Sequence, residues 1–331
     1  MGCKSIDYNC LMQILFPSFG QEVLDVLNTG NIPYSVDGNA VLFPHHNLKM
    51  ILVPVVSQDF PPQGLSADSA LEHAASAHDS SETDASGETF FLYEDRWRSS
   101  RTVTSQRMLS RLGVFRRVHA RLCKVVSIKN CKDFGLSPDT FRSKASKFLE
   151  AFHTYGYLKG QTDYLLLYKE DIVAAAQFKQ THQPQNSSNN PQEQSPEYKA
   201  YEWTRYASLP DVRIAGGMGK VLNQFLNDID KHSSPNAEST SVKPQAHGTI
   251  EVMSYSDNEW SNGDAYRKLG FKLAGTMEPV TYRIDPKTWK RINPRQWAAL
   301  KTRLTDKEAE SYTTIQNQGS RKWVLLIGDG I

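Results

Sequence analysis

The chain has 331 residues, with 38 Lys+Arg against 36 Asp+Glu for a formal charge of +2, and 39% hydrophobic and 10% aromatic residues. That mixture can bury a core, which excludes a wholly disordered chain, and the length sets a prior of two domains. The longest apolar run, Ile51 to Val56 with Pro54 inside it, falls far short of the roughly 20 residues of a membrane-spanning helix.

The four cysteines, Cys3, Cys10, Cys123 and Cys131, have no CxxC spacing. A zinc finger and a disulfide-stapled secreted domain are therefore excluded, no metal site is expected, and reduced thiols in a cytoplasmic setting are the expectation. The start lacks a basic region followed by an apolar stretch, so no signal peptide is expected. Met-Gly-Cys-Lys-Ser-Ile resembles a myristoylation signal, but Ile6 stands where Ser or Thr is wanted.

In chain order, Glu22–Leu27 reads as a helix, and Ala40–Phe43 and Lys49–Val53 as short strands. Phe60–Glu88 is rich in Ser, Ala, Asp, Pro and Gly, and Gln180–Pro196 and Lys231–His247 are polar tracts. All three read as insertions, because such compositions cannot offset ordering entropy with apolar burial. Thr104–Leu112 reads as a basic helix, Val118–Ser127 as a strand and Ser137–Ala151 as a helix. Tyr164–Tyr168 and Ile172–Phe178 form a strand pair turning at Lys169-Glu170-Asp171, and Tyr201–Ala207 is a further strand.

Next comes Ala215-Gly216-Gly217-Met218-Gly219-Lys220, ahead of Val221, Leu222, Phe225, Leu226 and Ile229, which share one helical face. Glycines there free the backbone to approach a ligand, and the helix start presents unpaired N–H groups to an anion. The spacing is neither that of a Walker A loop nor that of a dinucleotide fingerprint, and an ordinary glycine-rich turn is the plain alternative. Thr249–Tyr255 reads as a strand, Ala265–Leu269 as a short helix ending at Gly270, and Phe271–Leu273 and Val280–Ile284 as extended.

Charge is unevenly spread. Arg96, Arg98, Arg101, Arg107, Arg111, Arg116, Arg117, Arg121 and Lys124 occur with no Asp or Glu between Arg96 and Lys124, and a second basic stretch runs from Arg283 to Arg303. Such segregation suits a phosphate backbone, and guanidinium groups grip phosphate bidentately; a solvated helix face is the plain alternative. DNA is the expected partner, with Arg96, Arg98, Arg101, Arg107, Arg111, Arg116 and Arg117 as contacts. No membrane association is expected, and protein partners are unassigned.

The order of strand, glycine turn with helix, strand, then a short helix running into Tyr266-x-x-Leu269-Gly270-Phe271 resembles the N-acetyltransferase (GNAT) fold. The resemblance implies an α/β (α+β) domain with a mixed sheet and flanking helices, using acetyl-CoA or a related acyl-CoA. In that family a glycine-rich turn cradles the pyrophosphate of coenzyme A, and a Tyr five residues before the Phe of Gly-Phe protonates the departing thiolate. The matching positions are Gly216, Gly217 and Gly219 with Arg213, Lys220 and Asn262 for the cofactor, and Tyr266 for the acid. In the family's Arg/Gln-x-x-Gly-x-Gly/Ala pattern Arg213 and Gly216 fit, whereas Gly219 falls one position late.

The blocks Phe91–Trp97, Arg117–Arg121, Tyr201–Tyr206, Tyr255–Asp257 with Trp260–Gly263, and Gly319–Trp323 further resemble a phage and bacterial family. There a very-short-patch-repair-type endonuclease domain precedes a GNAT-like domain akin to the phage Mu Mom-type DNA-modification proteins. This implies a degenerate restriction-endonuclease-like domain over 1–115 and a transferase domain over 116–331. It also implies Arg205, Asp257 and Tyr266 as the catalytic set, with Asp257 orienting or deprotonating the acceptor amine and pairing with Arg205, or with those two forming a purely structural pair. His153 matches a His-containing turn of the relatives, and Trp260 is a candidate for stacking on a base. Glu22 remains for a nuclease, but Lys49-Met50 stand where the relatives carry an acid, and a lysine cannot hold Mg²⁺. The implied function is acyl transfer to a nucleobase or amine-bearing modified base in phage-type DNA. The alternatives are a degenerate homing-endonuclease-like DNA-binding protein and an acetyltransferase of proteins or small amines.

Overall fold

The computed structural model describes residues 18–55, 88–181, 198–230 and 249–328. The three polar tracts lie outside those residues apart from their margins, as do Cys3, Cys10 and the start of the chain. The structure divides into two compact units, one drawn from Met1–Leu112, Asp257–Asn262 and Met277–Ser320, the other from Gly113–Ser256, Gly263–Thr276 and Arg321–Ile331. The expected division between 115 and 116 therefore falls near Leu112, and two stretches of the C-terminal half fold with the first unit.

In the first unit, helix α1 (Phe19–Thr29) buries Phe19, Val23, Leu24 and Leu27, the i, i+4, i+5, i+8 stripe of an amphipathic helix. Strands β1 (Ser35–Asp37), β2 (Ala40–Phe43), β3 (Leu48–Val53) and β4 (Glu88–Tyr93) form one sheet in that order, antiparallel except for β3 with β4. Helices α2 (Glu94–Ser99) and α3 (Arg101–Arg111) follow. Side chains alternate across a strand. Val41, Phe43, Met50, Leu52, Phe90 and Leu92 thus join the core of Phe19, Leu27, Trp97 and Met108. Ala40, Ile51, Phe91 and Tyr93 pack on Ile284 and Ile315. That second contact draws Met277–Ser320 into this unit, through the small sheet of β13 (Thr281–Ile284), β14 (Arg291–Ile292) and β15 (Thr313–Gln316).

The second unit holds a seven-stranded sheet of β6 (Cys123–Ser127), β7 (Thr162–Tyr168), β8 (Asp171–Gln180), β9 (Tyr198–Ser208), β11 (Thr249–Asp257), β12 (Lys272–Met277) and β16 (Ser320–Ile327). Their spatial order is β12-β16-β11-β9-β8-β7-β6. β6 to β9 are antiparallel neighbours, whereas β9 and β11 run parallel. A parallel pair needs a crossover, usually helical, and here it contains β10 (Val212–Ala215) and helix α5 (Gly217–Asp230).

One sheet face packs Tyr164, Phe178, Trp203 and Val252 on Val221, Leu222 and Phe225 of α5, with the Phe178 and Phe225 rings stacked at 3.9 Å. The other packs Val126, Leu165, Leu167 and Ala175 on helix α4 (Pro138–Phe152) through Phe141, Ala145, Phe148 and Leu149. A mixed sheet flanked by helices, with a parallel central pair joined through a glycine turn, is the α/β (α+β) architecture expected from the motif order.

The single strand expected over Val118–Ser127 is instead two: β5 (Arg116–His119), which pairs with β10, and β6, parted by a 3₁₀ turn at Ala120–Leu122. On either side of that turn the Lys220 ammonium of α5 donates to the Ala120 and Cys123 carbonyls.

Candidate functional site

Strands β9 and β11 are paired only from Tyr198↔Thr249 to Glu202↔Met253, although β9 continues to Ser208 and β11 to Asp257. The two therefore part, and the ends of both present backbone that neither offers to the other. Within β9 the register against β8 shifts between Gln177↔Arg205 and Phe178↔Trp203, so Thr204 is the extra residue of a bulge, which re-aims side chains. Accordingly Trp203 and Tyr206 lie in the core under α5, while Ala207 lies in the core under α4.

The glycine turn closes one end of this opening. Gly216 has φ +79°, a left-handed conformation that glycine adopts without strain. A Cβ at Gly217 would come 2.7 Å from Tyr206 Oη, and one at Gly219 would come 3.1 Å from Leu269. The first intrahelical bond of α5 runs from Lys220 N to Gly216 O. The N–H groups of Gly217, Met218 and Gly219 thus precede the ladder and lie at the positive end of the helix.

Tyr266 stands on helix α6 (Asp264–Lys268), three residues before the Leu269 that touches Gly219. Its ring is boxed by Trp203 at 6.2 Å, Phe271 at 5.5 Å and a stacked Trp323 at 6.2 Å. Burial pushes its phenol pKa up, and Ser254 partly offsets that. Ser254 Oγ lies 2.9 Å from both Trp203 O and Tyr266 Oη, two acceptors for one hydroxyl proton. Trp323 is fixed by its indole N–H on Ser256 Oγ at 2.9 Å. Gly263, at φ +87°, has no room for a Cβ above the Trp323 indole.

The remaining candidates are placed as follows. Arg205 donates from Nε to Gly156 O at 3.0 Å and from Nη1 to Thr204 O at 2.7 Å, and burial lowers its pKa. Asp257 Oδ1 accepts the Glu259 N–H at 2.9 Å, and its carbonyl accepts those of Trp260 and Ser261, so it closes the turn after β11. Arg205 and Asp257 each satisfy these bonds within their own unit. Asn262 is half-buried just before Gly263. Arg213 is exposed, with its guanidinium 5.2 Å from the Phe115 ring. Lys220, expected at the cofactor, is turned onto carbonyls as described. His153 caps the end of α4, and its Nδ1 accepts the Tyr155 N–H at 3.1 Å. Trp260 is a core residue, stacked on Phe90 at 5.8 Å and covered by Arg107 at 4.7 Å, so it offers no free ring to a base.

The basic stretch divides. In the first unit Arg98 pairs with Glu22 and Glu94, Arg101 with Glu22 at 3.1 Å, Arg111 with Glu88 at 3.0 Å, and Arg96 lies 3.8 Å from Glu259. Acids outside the run, most of them remote in sequence, neutralise what reads as unopposed. Glu22, bonded also by the Trp97 indole, has its pKa lowered, its hydrogen bonds and arginines outweighing burial. Met50 is buried, and among the described residues no group of three or more His, Cys, Asp or Glu is placed to hold a metal ion.

Ser254, Tyr206 and the bracing role of Trp323 are the site features that the sequence reading misses. Ser254 had a signal: with Val252 and Ser256 it occupies the buried register of β11, and a serine in such a register needs a partner.

No protein-family model and no curated protein matches the chain. Among solved structures it is similar to a GNAT family acetyltransferase from Elizabethkingia anophelis with acetyl-CoA bound, at 9% identity and TM-score 0.28 over 62% of this chain and 99% of that one. Arabidopsis thaliana NAA60 in complex with a bisubstrate analogue aligns at 10% identity and TM-score 0.27, over 62% and 99% of the two chains. A probable N-acyltransferase from Enterococcus faecalis aligns at 17% identity and TM-score 0.24, over 52% of this chain and 37% of that one. Overlaps this loose say nothing of shared chemistry, and the fold rests on the strand order itself.

Proposed function

We propose that the second unit transfers an acyl group from an acyl-CoA to an amine, with Tyr266 as the proton donor to the leaving sulfur. The observation that carries this reading is the parting of β9 and β11, with a phenol in the opening and the open start of α5 beside it. The residues fit the cofactor: three N–H groups ahead of the α5 ladder suit phosphoryl oxygens. Lys220 is outside that set, since its ammonium is already engaged.

Acyl-CoA, when bound, supplies a carbonyl activated as a thioester. The chain's own groups do the rest. Gly217, Met218 and Gly219 hold negative charge at the helix start. Tyr266 Oη keeps its proton at neutral pH, because burial disfavours the phenolate, and would give it to sulfur as the C–S bond breaks and the C–N bond forms, the proton shed by the acylated nitrogen returning through solvent to restore the phenol. Ser254 then turns its own proton from Trp203 O to the phenolate, meeting the charge where it appears.

The acceptor in this proposal is an amine on a base of DNA, reached in a single strand or after extrusion from a duplex. The test is to incubate the protein with acetyl-CoA and DNA carrying amine-bearing modified bases, following thiol release and nucleoside masses. Tyr266→Phe should slow release by about 10²-fold or more, the span of general acid catalysis, with acetyl-CoA still bound. Equal rates for both proteins would overturn the role of Tyr266. Acyl transfer to small amines or proteins but to no base would replace the acceptor.

A further inference from the structure

The part of the basic stretch that lies in the second unit differs from the rest. Strands β5 and β10 form a two-stranded parallel ribbon, with Arg117 opposite Arg213 and His119 opposite Ala215. Val118 and Val212 face the core, whereas Arg116, Arg117, His119 and Arg213 are exposed, as are Arg121 and Lys124 just beyond. Residues 113–124 contain no acid, and Asp211 is the one acid of the β10 segment. Among the described residues none of Arg116, Arg117, Arg121, Lys124 or Arg213 forms an ion pair. Like charges directly opposite on neighbouring strands oppose folding, so the Arg117–Arg213 pairing is a cost until an anion sits between them.

The ribbon is also locked to the candidate site. Ala120 Cβ would lie 3.6 Å from a Cβ at Gly216, and Lys220 of α5 bonds the Ala120 and Cys123 carbonyls on either side of the 3₁₀ turn. A polyanion lying on the ribbon is therefore led to the start of α5. Arginine rather than lysine supplies four of the five cations, and guanidinium matches phosphate bidentately.

We propose that this ribbon, and not the α2–α3 arginines, is the docking track for a nucleic-acid strand, its phosphodiesters held by Arg116, Arg117, Arg121 and Arg213. The inference rests on the reading that the acceptor is nucleic acid and localises where it is held.

The experiment measures binding of the full chain to a fluorescent single-stranded DNA oligonucleotide across a salt series. In Arg117→Ala/Arg121→Ala the slope of log affinity against log salt should fall by about 1.4, at roughly 0.7 per lost phosphate contact. Lys144→Ala/Lys147→Ala, which removes equal charge from exposed positions of α4, should leave the slope in place. Arg121→Ala alone, on the exposed turn, serves if the double variant does not fold, with an expected fall of about 0.7. An unchanged slope in the ribbon variants, an equal fall in the α4 control, or preferential binding to phosphatidylserine vesicles overturns the proposal. Acetyl-CoA turnover on DNA carrying amine-bearing modified bases, assayed in parallel on the unaltered chain, separates the two claims. Lost turnover with an intact salt response removes the transferase reading alone, and the reverse removes the track alone.

Discussion

Each unit buries a polar constellation, and the two are built on opposite principles. In the first, Arg291 pairs with Asp95 at 2.7 Å and with Glu259, all three side chains at most 3% exposed, with the Arg96 guanidinium close by. Tyr93 and Tyr282 place their rings 4.6 and 5.6 Å from the Arg291 guanidinium. In the second, the buried groups around Tyr266 are neutral: Ser254, Ser256, and the indoles of Trp203 and Trp323. A buried ion cluster is held by mutual charge and fails if one member is lost. A neutral hydroxyl chain is weaker, but its protons can be reassigned without creating an uncompensated charge. The first arrangement clamps Asp257–Asn262 and β14 onto β4 and α2; the second leaves a movable proton.

Removing a cation from the clamp breaks this comparison most severely. Arg291→Met leaves Asp95 and Glu259 buried without their main partner and should destabilise the first unit by about 3–5 kcal/mol. Amide hydrogen exchange of β3 and β4 against denaturant reads it, and a loss under 1 kcal/mol would show that the cluster is not a clamp. A smaller effect sharpens the same point through pH. Burial, with Asp257 nearby, pushes the Glu259 carboxyl up to about 7 despite its arginines. Between its ordinary value and 7 the folded state binds the extra proton, so stability should fall as pH rises from about 4.5 to about 7 and level off above. The fall is on the order of 3 kcal/mol from a shift of this size. Glu259→Gln should flatten it; a melting profile that keeps its slope in that variant assigns the titration elsewhere.

The legibility of these features follows the sequence separation of their parts. The glycine turn, α5, β11 and the Tyr266 helix lie between Gly216 and Lys268 and carry local periodicity, and each was expected near its observed bounds. β10 escaped because four residues between a turn and a glycine pair have too little pattern to register. The clamp was invisible for a different reason. Arg291 and Asp95 are 196 residues apart, and nothing local distinguishes that arginine from the other cations between Arg283 and Arg303. The same blindness inflated the basic run after Arg96, whose neutralising Glu22 and Glu88 come from other elements. The bulge at Thr204 defeated period-two reasoning outright, because it puts Trp203 and Ala207 on opposite faces, where simple alternation would group them.

The smallest expected effect tests whether the neutral network is chemical or only structural. Ser254→Ala removes the donor that lowers the Tyr266 pKa and leaves Trp203 O without that bond. Loss of one neutral hydrogen bond costs about 1 kcal/mol of stability, far below the clamp variant. If Ser254 serves only packing, turnover should follow that modest loss and keep the pH profile of the unaltered chain. If Ser254 meets the phenolate as the proton leaves, kcat should fall several-fold at unchanged acetyl-CoA affinity. The sign of the pH effect is then fixed. Tyr266 must be protonated to act, so activity is lost as pH rises through its pKa. Without the Ser254 donor that pKa is higher, and the alkaline limb moves to higher pH. A limb that stays in place, or moves to lower pH, would remove Ser254 from the proton path and leave Tyr266 supported by its aromatic box alone.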